Sequence, residues 1–244
     1  MSINLRDFDV ELFIRGKPLE LLSEGLDILE KVSGDLAKHR SIACLIADPG
    51  TGVENFFNRY KEKNLESVFI MDCFKCSNMF ADLMLEIGLG HKLVNWYDTP
   101  IPNIVEALIY YLNAMNNRTL LIFNHCDSLN LAKFAELLDD CALFKNRAGI
   151  IFRITKGYGQ RILKSSKPEL RQHLATVGRL EIDYPSEKEL LSACHKNGII
   201  SAAVANGIVK DTFDFDVICS RVESLRADVK SFIQANGKRG ASSK

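Results

Sequence analysis

The segment Ala47-Asp48-Pro49-Gly50-Thr51-Gly52-Val53-Glu54 follows an apolar run and precedes one of helical periodicity. A strand, a short Gly/Pro loop and a helix bring backbone N–H groups and a helix N-terminus together on an anion, so the chemistry on offer is phosphate binding. Set against the phosphate-binding pattern G-x-x-x-x-G-K-[ST], only the second glycine is kept, as Gly52. Ala47 stands at the first glycine, Val53 at the lysine and Glu54 at the Mg²⁺-binding hydroxyl. The lysine neutralises β/γ-phosphate charge and valine brings none, while a carboxylate beside the phosphates adds repulsion. Hydrolysis by the usual route is therefore expected to fail. A glutamate can ligate Mg²⁺ and backbone amides can still hold a phosphate, so low-affinity ATP or ADP with Mg²⁺ stays open beside the plainer reading of a tight strand-to-helix turn.

A second apolar run, Leu120-Leu121-Ile122-Phe123, ends in Asn124-His125-Cys126-Asp127. That is where a nucleotide hydrolase of this layout delivers an Asp for Mg²⁺ and a Glu to orient water, and both acids are missing. Asn124 can bond a metal's water shell without supplying charge. His125 acts as a base only if a substrate proton lies beside it, and a satisfied structural histidine is the commoner case.

Other chemistry-bearing residues are sparser. Cys73 and Cys76 form a C-x-x-C without a second pair or an H-x₃₋₅-H, which leaves no metal site expected. His125, Cys126 and Cys44 are placed to meet in space, with buried thiol packing as the simpler account. Trp96-Tyr97 stacks on a base, anchors a partner or folds back onto the core, the last being favoured. Lys156, Arg161, Lys164, Lys167 and Arg171 make one local positive stretch, either a solvated helix face or a place for DNA phosphates, with Lys156, Arg161 and Lys164 the residues of choice. No Gly-x-Ser-x-Gly and no dinucleotide-type G-x-G-x-x-G is present.

The elements that must position these residues alternate. Five short runs read as strands buried on both faces: Ile42 to Ala47, Ser67 to Met71, Thr119 to Asn124, Gly149 to Ile154 and Arg179 to Ile182. Helical periodicity fills the gaps, in Val53 to Glu62, Met79 to Ile87, Ile101 to Asn116, Leu131 to Phe144 and around Leu163 to Leu174. This alternation predicts an α/β domain with a three-layer parallel sheet of about five strands. Pro18 to His39 reads as an amphipathic helix ahead of the first strand. After Pro185 the pattern turns wholly helical: a helix capped by Ser186 through Lys196, then Ile199 to Val209 and Phe215 to Ala235. The expected organisation is an α/β domain over residues 1–184, a helical lid over 185–236, and a basic tail over 237–244 too poor in apolar residues to order.

The 244 residues, 47% hydrophobic, suffice for one sizeable core with a small satellite. Lys+Arg and Asp+Glu are equal at 31 each, so any nucleic-acid contact must come from a local patch. Seven scattered cysteines, mostly in apolar runs, fit a reducing compartment, and no stretch of about 18 uninterrupted apolar residues occurs, so a cytoplasmic protein without a membrane partner is expected.

The two motifs, their separation, the helix before them and the helical lid after them resemble the AAA+ ATPases, particularly the MuB/TnsC-like transposition ATPases, over roughly Pro18 to Ala235. In that family the strand end often reads D-E-A-D, against Asn124, His125, Cys126 and Asp127 here, so only the last acid survives. The resemblance makes Thr155, after Gly149-Ile150-Ile151-Phe152-Arg153-Ile154, the polar sensor at the fourth strand's tip. It makes Arg179 one of the arginines that serve a neighbour's nucleotide, and it places the lid's arginine motif at Phe213-Asp214-Phe215-Asp216, where no arginine stands. The degenerate nucleotide site it implies comprises Asp48, Pro49, Gly50, Thr51, Gly52, Val53, Glu54, Asn124, Asp127 and Thr155. The implied partners are the chain itself or an AAA+ paralogue, with DNA and a transposase-type protein beyond. An AAA+-fold assembly factor without ATPase activity is the reading, with an active or nucleotide-binding variant and a nucleotide-independent interaction module as alternatives.

Overall fold

The computed structural model describes residues 3–15, 19, 21, 23–74, 78–88, 96–114, 118–144, 146–166 and 168–241. In chain order the elements are α1 (Val10–Arg15), α2 (Glu24–His39), β1 (Ile42–Ala47), α3 (Val53–Lys63), β2 (Val68–Asp72), α4 (Met79–Glu86), α5 (Ile101–Ala114), β3 (Leu120–Asn124), α6 (Leu131–Ala142), β4 (Gly149–Ile154), α7 (Lys156–Leu163), α8 (Pro168–Thr176), β5 (Gly178–Ile182), α9 (Glu187–Lys196), α10 (Ala202–Val209) and α11 (Phe215–Ala241). The strands form one parallel sheet in the order β2-β3-β4-β1-β5. From β1 the chain crosses to the far edge, steps back through β3 and β4, and then places β5 on the other side of β1. The strand order therefore reverses between β4 and β1, and in open α/β sheets the crevice at the carboxyl ends there is where ligands bind.

Contacts divide the chain into two units. One comprises residues 27–48 and 56–182 and holds the sheet. Its core is the face on which Phe69, Leu121, Phe123, Ile150, Phe152 and Ile154 point inward, joined by Leu83 of α4, Leu108 of α5 and Leu137 of α6. Strand periodicity of two places these residues on one face, and the apolar stripes of the three helices cover them. Phe123 stacks on Phe152 at 5.4 Å, and Phe134 meets Phe152 edge-on at 6.0 Å and Tyr158 at 5.6 Å. The central strands are buried on both faces, as their unbroken apolar runs require.

The edge strand β5 departs from that expectation, since Arg179 and Glu181 are exposed and, among the described residues, only β1 pairs with it. Charge on an edge strand keeps it from pairing with another chain. The fourth crossover is two helices, α7 and α8, where one around Leu163 to Leu174 was expected, and Pro168 opens the second, a position where its fixed φ and missing N–H cost nothing. The expected helix from Pro18 begins only at Glu24. Ser23 Oγ there accepts from Leu26 N–H at 3.2 Å, while Leu19 and Leu21 are buried ahead of the helix.

The other unit comprises residues 1–26, 49–55 and 183–244. Ser186 and Glu189 form a reciprocal capping box that starts α9, as the sequence predicts. Ser201 caps α10. Helix α11 runs through Ala241, and residues 242–244 lie outside the described residues. The N-terminal segment, which sequence periodicity left unassigned, is bound to this unit. Phe8 bridges Ile199, Asp9 N–H donates to the Gly198 carbonyl at 2.7 Å, and Arg226 Nε donates to the Phe13 carbonyl at 2.8 Å with its guanidinium 5.4 Å from the Phe13 ring centre. Among the described residues no helix is long and apolar enough to cross a membrane.

Candidate functional site

The loop between β1 and α3 turns on Gly50 and Gly52, at φ +81° and +84°, a region that residues with a Cβ enter only at a cost. Thr51 and Val53 are each 1% exposed. Val53, standing where a phosphate-binding lysine would, is thus a packing residue of the first turn of α3. Glu54 lies in the same turn, so its carboxylate takes the favourable position at the positive end of the helix dipole.

Residues at the start of α11 close on this loop within the same unit. Phe215 N–H donates to the Gly50 carbonyl at 2.8 Å. The Asp214 carboxylate lies over the α-carbon of Gly50, so that a Cβ there would stand 2.6 Å from both of its oxygens. A Cβ on Gly52 would stand 2.8 Å from a methyl of Leu21 and 3.4 Å from the Phe215 ring. Asp214 also caps α11, its Oδ1 accepting from Asp216 N–H at 2.9 Å and Val217 N–H at 3.1 Å. The segment in which the resemblance seeks a cationic motif therefore sets a carboxylate against the loop. An anion in the loop would meet repulsion from it.

In the sheet unit, strand register aligns Asp72 of β2 with Asn124 of β3 and Arg153 of β4 with Leu45 of β1, and the β3–β4 ladder runs up to Phe123 and Phe152, the residues just before Asn124 and Arg153. Arg153 is 2% exposed and Asn124 8%, and Nη1 of Arg153 donates to Oδ1 of Asn124 at 3.1 Å. The Asn124 amide is thus hydrogen-bonded to a buried cation. Sequence reading counted Arg153 only as part of an apolar strand. The signal for it was a charged residue inside a run otherwise buried on both faces.

The remaining tip residues have local partners. His125 adopts a left-handed conformation, φ 55°, ahead of a 3₁₀ turn over Cys126–Ser128 that contains the half-buried Asp127, and its ring meets Phe74 edge-on at 5.3 Å. Thr155 Oγ1 accepts from Tyr158 N–H at 3.3 Å and caps α7. Asp48 Oδ1 accepts from Lys156 N–H at 3.0 Å, tying the end of β1 to the end of β4 across the reversal of strand order. Cys126 lies 3.7 Å from Cys73, sulfur to sulfur, and donates to the Phe123 carbonyl at 3.1 Å. Burial pushes the Cys126 thiol well up, with the Cys73 hydrogen bond adding to it, which makes it an inert packing thiol. Cys76 lies outside the described residues. Among the described residues no group of three or more His, Cys, Asp or Glu could hold a metal. Trp96 packs against the core while Tyr97, 48% exposed, donates to Asp82.

The positive stretch is divided. Lys156 at the start of α7 pairs with Glu181 at 3.4 Å, and Arg179 pairs with the same carboxylate at 3.2 Å. Arg161 stands over the Tyr158 ring at 5.3 Å and is exposed, as are Lys164 and Arg171, and Lys167 lies outside the described residues.

No protein-family model matches this sequence, and no curated protein is significantly similar to it. Solved structures do match. The chain is similar to Cdc6p from Pyrobaculum aerophilum, at 12% identity over 94% of this chain and 67% of that one, with a TM-score of 0.63. It is similar to Aeropyrum pernix ORC1 in complex with DNA, at 12% identity over 93% and 64%, TM-score 0.61. It is also similar to Aeropyrum pernix ORC2, solved as ADPNP-ADP complexes, at 14% identity over 93% and 67%, TM-score 0.57. The chain spans about two thirds of the length of these proteins. At such identities the likeness is one of fold, and the fold is that of the AAA+ P-loop NTPases.

Proposed function

We propose that this chain is an AAA+-fold assembly factor that does not hydrolyse ATP. The observation that carries this reading is the hydrogen bond between Arg153 and Asn124, which sets a buried guanidinium at the strand tip where hydrolysis needs a carboxylate-bound metal. Two further features support it. Val53 is buried in place of the lysine, and the Asp214 carboxylate lies against Gly50. γ-Phosphoryl departure builds negative charge, and this loop supplies no side-chain cation to stabilise it.

The partners follow from the fold and the resemblance. The chain assembles with itself or with an active AAA+ paralogue, and the exposed Arg161 and Lys164 contact DNA phosphates. The DNA-bound ORC1 structure supports the DNA role by likeness of fold, and the MuB/TnsC-like resemblance makes a transposase-type protein the partner on that DNA. Calorimetric titration with Mg-ATP, alongside a phosphate-release assay, tests the central reading. Silence in both is expected, and turnover that stops in Asp127→Ala overturns it. In a DNA mobility shift at low salt, the Arg161→Gln and Lys164→Gln double variant is expected to weaken binding and reduce the slope of log K on log salt by about 2. No shift with the parent protein removes the DNA role.

A further inference from the structure

We infer that a cavity in the lid-containing unit docks a basic peptide segment of a protein partner. The cavity measures about 930 Å³, and Tyr184 and Phe213, 47% and 56% exposed, supply aromatic walls. Around it stand the carboxylates of Glu187, Asp211 and Asp214 against the single ammonium of Lys210. Aromatic faces beside carboxylates are the surroundings that a guanidinium or ammonium seeks, through cation–π attraction and charge-assisted hydrogen bonds, while its aliphatic stem lies on the rings. A phosphate-bearing ligand would meet three carboxylates against one lining ammonium, the Arg221 guanidinium at the rim being held by the carbonyls of Ile208 and Lys210.

The rim is set before any partner arrives. Arg221 Nη1 donates to the carbonyls of Ile208 and Lys210 at 2.6 and 2.8 Å, and Asp214 N–H donates to Thr212 Oγ1 at 3.0 Å. Between these anchors Asp211 is held at φ 64°, a conformation that aspartate and asparagine tolerate better than most residues. Asp214 is engaged in capping α11, but among the described residues no hydrogen bond or ion pair engages the carboxylates of Glu187 and Asp211. They are preformed acceptors, so a cationic partner need not first break other bonds. The volume exceeds what one side chain fills and lies in the range that holds a ligand of drug size, so a segment of several residues is the occupant.

The full chain is titrated by fluorescence anisotropy with a fluorescein-labelled hexapeptide of alternating glycine and arginine, and with its glutamate counterpart. The arginine peptide is expected to bind with salt-sensitive affinity and the glutamate peptide not to bind. Glu187→Gln and Asp211→Asn, both exposed and chosen to keep the backbone conformation, are each expected to weaken binding about fivefold, and together by more than about tenfold. Phe213→Ala, which leaves every charge in place, is expected to weaken it severalfold. Equal binding of the two peptides, or parent-like affinity in the double variant and in Phe213→Ala, overturns the inference. This outcome is independent of the nucleotide reading, which Mg-ATP titration of the same sample decides.

Discussion

Oδ1 of Asn124, the last residue of β3, accepts a hydrogen bond from Nη1 of Arg153 in β4 at 3.1 Å, with both side chains buried. A P-loop hydrolase keeps this strand tip acidic so that a divalent cation can sit beside the γ-phosphate. Here the cation is a side chain, fixed to the sheet and unable to leave. A metal ion ligated at Asn124 would lie beside a guanidinium and be repelled by it.

On the proposed reading, an acid introduced at Asn124 alone should produce no turnover. Asn124→Asp gives Arg153 a carboxylate partner, and the urea midpoint is expected to hold or rise as the hydrogen bond becomes fully charge-assisted. Phosphate release is expected to stay at background, since Val53 still offers no positive charge. Measurable turnover in this single variant would contradict the account of the strand tip.

Arg153→Met keeps an unbranched apolar stem and deletes the guanidinium. With Arg153 2% exposed, the loss of its donors strands Asn124 in the interior and is expected to cost about 2–3 kcal/mol in urea unfolding. Arg153→Lys should recover only part of that, because an ammonium lacks the planar fork. A midpoint unchanged from the parent would show that the row of polar residues contributes nothing to stability.

The contact between Gly50 and Asp214 can be separated into two costs. Gly50→Ala forces alanine to φ +81°, about 1–2 kcal/mol, and also drives a methyl into the Asp214 carboxylate. Asp214→Ser shortens the side chain while keeping a cap for α11. The double variant is expected to be more stable than the sum of the singles by about 0.5–3 kcal/mol. Simple additivity would mean that carboxylate and loop do not press on one another.

Much of this was legible beforehand because each part has a local cause. The run Ile42 to Ala47 is apolar throughout, the run Gly149 to Ile154 is apolar but for Arg153, and each is followed by polar residues, so their strands fall on the expected bounds. Ser186 with Glu189 announces α9 in the same way. The candidate site was legible by position only. Asn124 and Val53 could be placed, but what touches them depends on register and on residues far along the chain. Arg153 is 29 residues from Asn124, and Asp214 is 164 from Gly50. The N-terminal segment was illegible for a related reason, since its short helix is held by Arg226 and Gly198 and not by its own periodicity.

Buried thiols make stability fall at alkaline pH. Burial pushes Cys44 up from about 9 to about 12, against a smaller opposing effect of Arg179, its neighbour across the β1–β5 ladder. A thiol whose pKa is raised on folding binds its proton more tightly in the native state. Its contribution to stability is thus fully present below about pH 9 and is lost as pH rises towards 12, at about 1.4 kcal/mol per pH unit. Cys219, raised to about 12, acts with the same sign. Urea midpoints measured from pH 8 to 11 are expected to fall faster in the parent than in Cys44→Ala, the gap between the slopes being one thiol's worth. The small cavity left by alanine lowers stability equally at every pH, so it shifts the curve without changing its slope. Parallel curves would mean that Cys44 ionises as readily in the folded chain as in the unfolded one, and that its side chain reaches water.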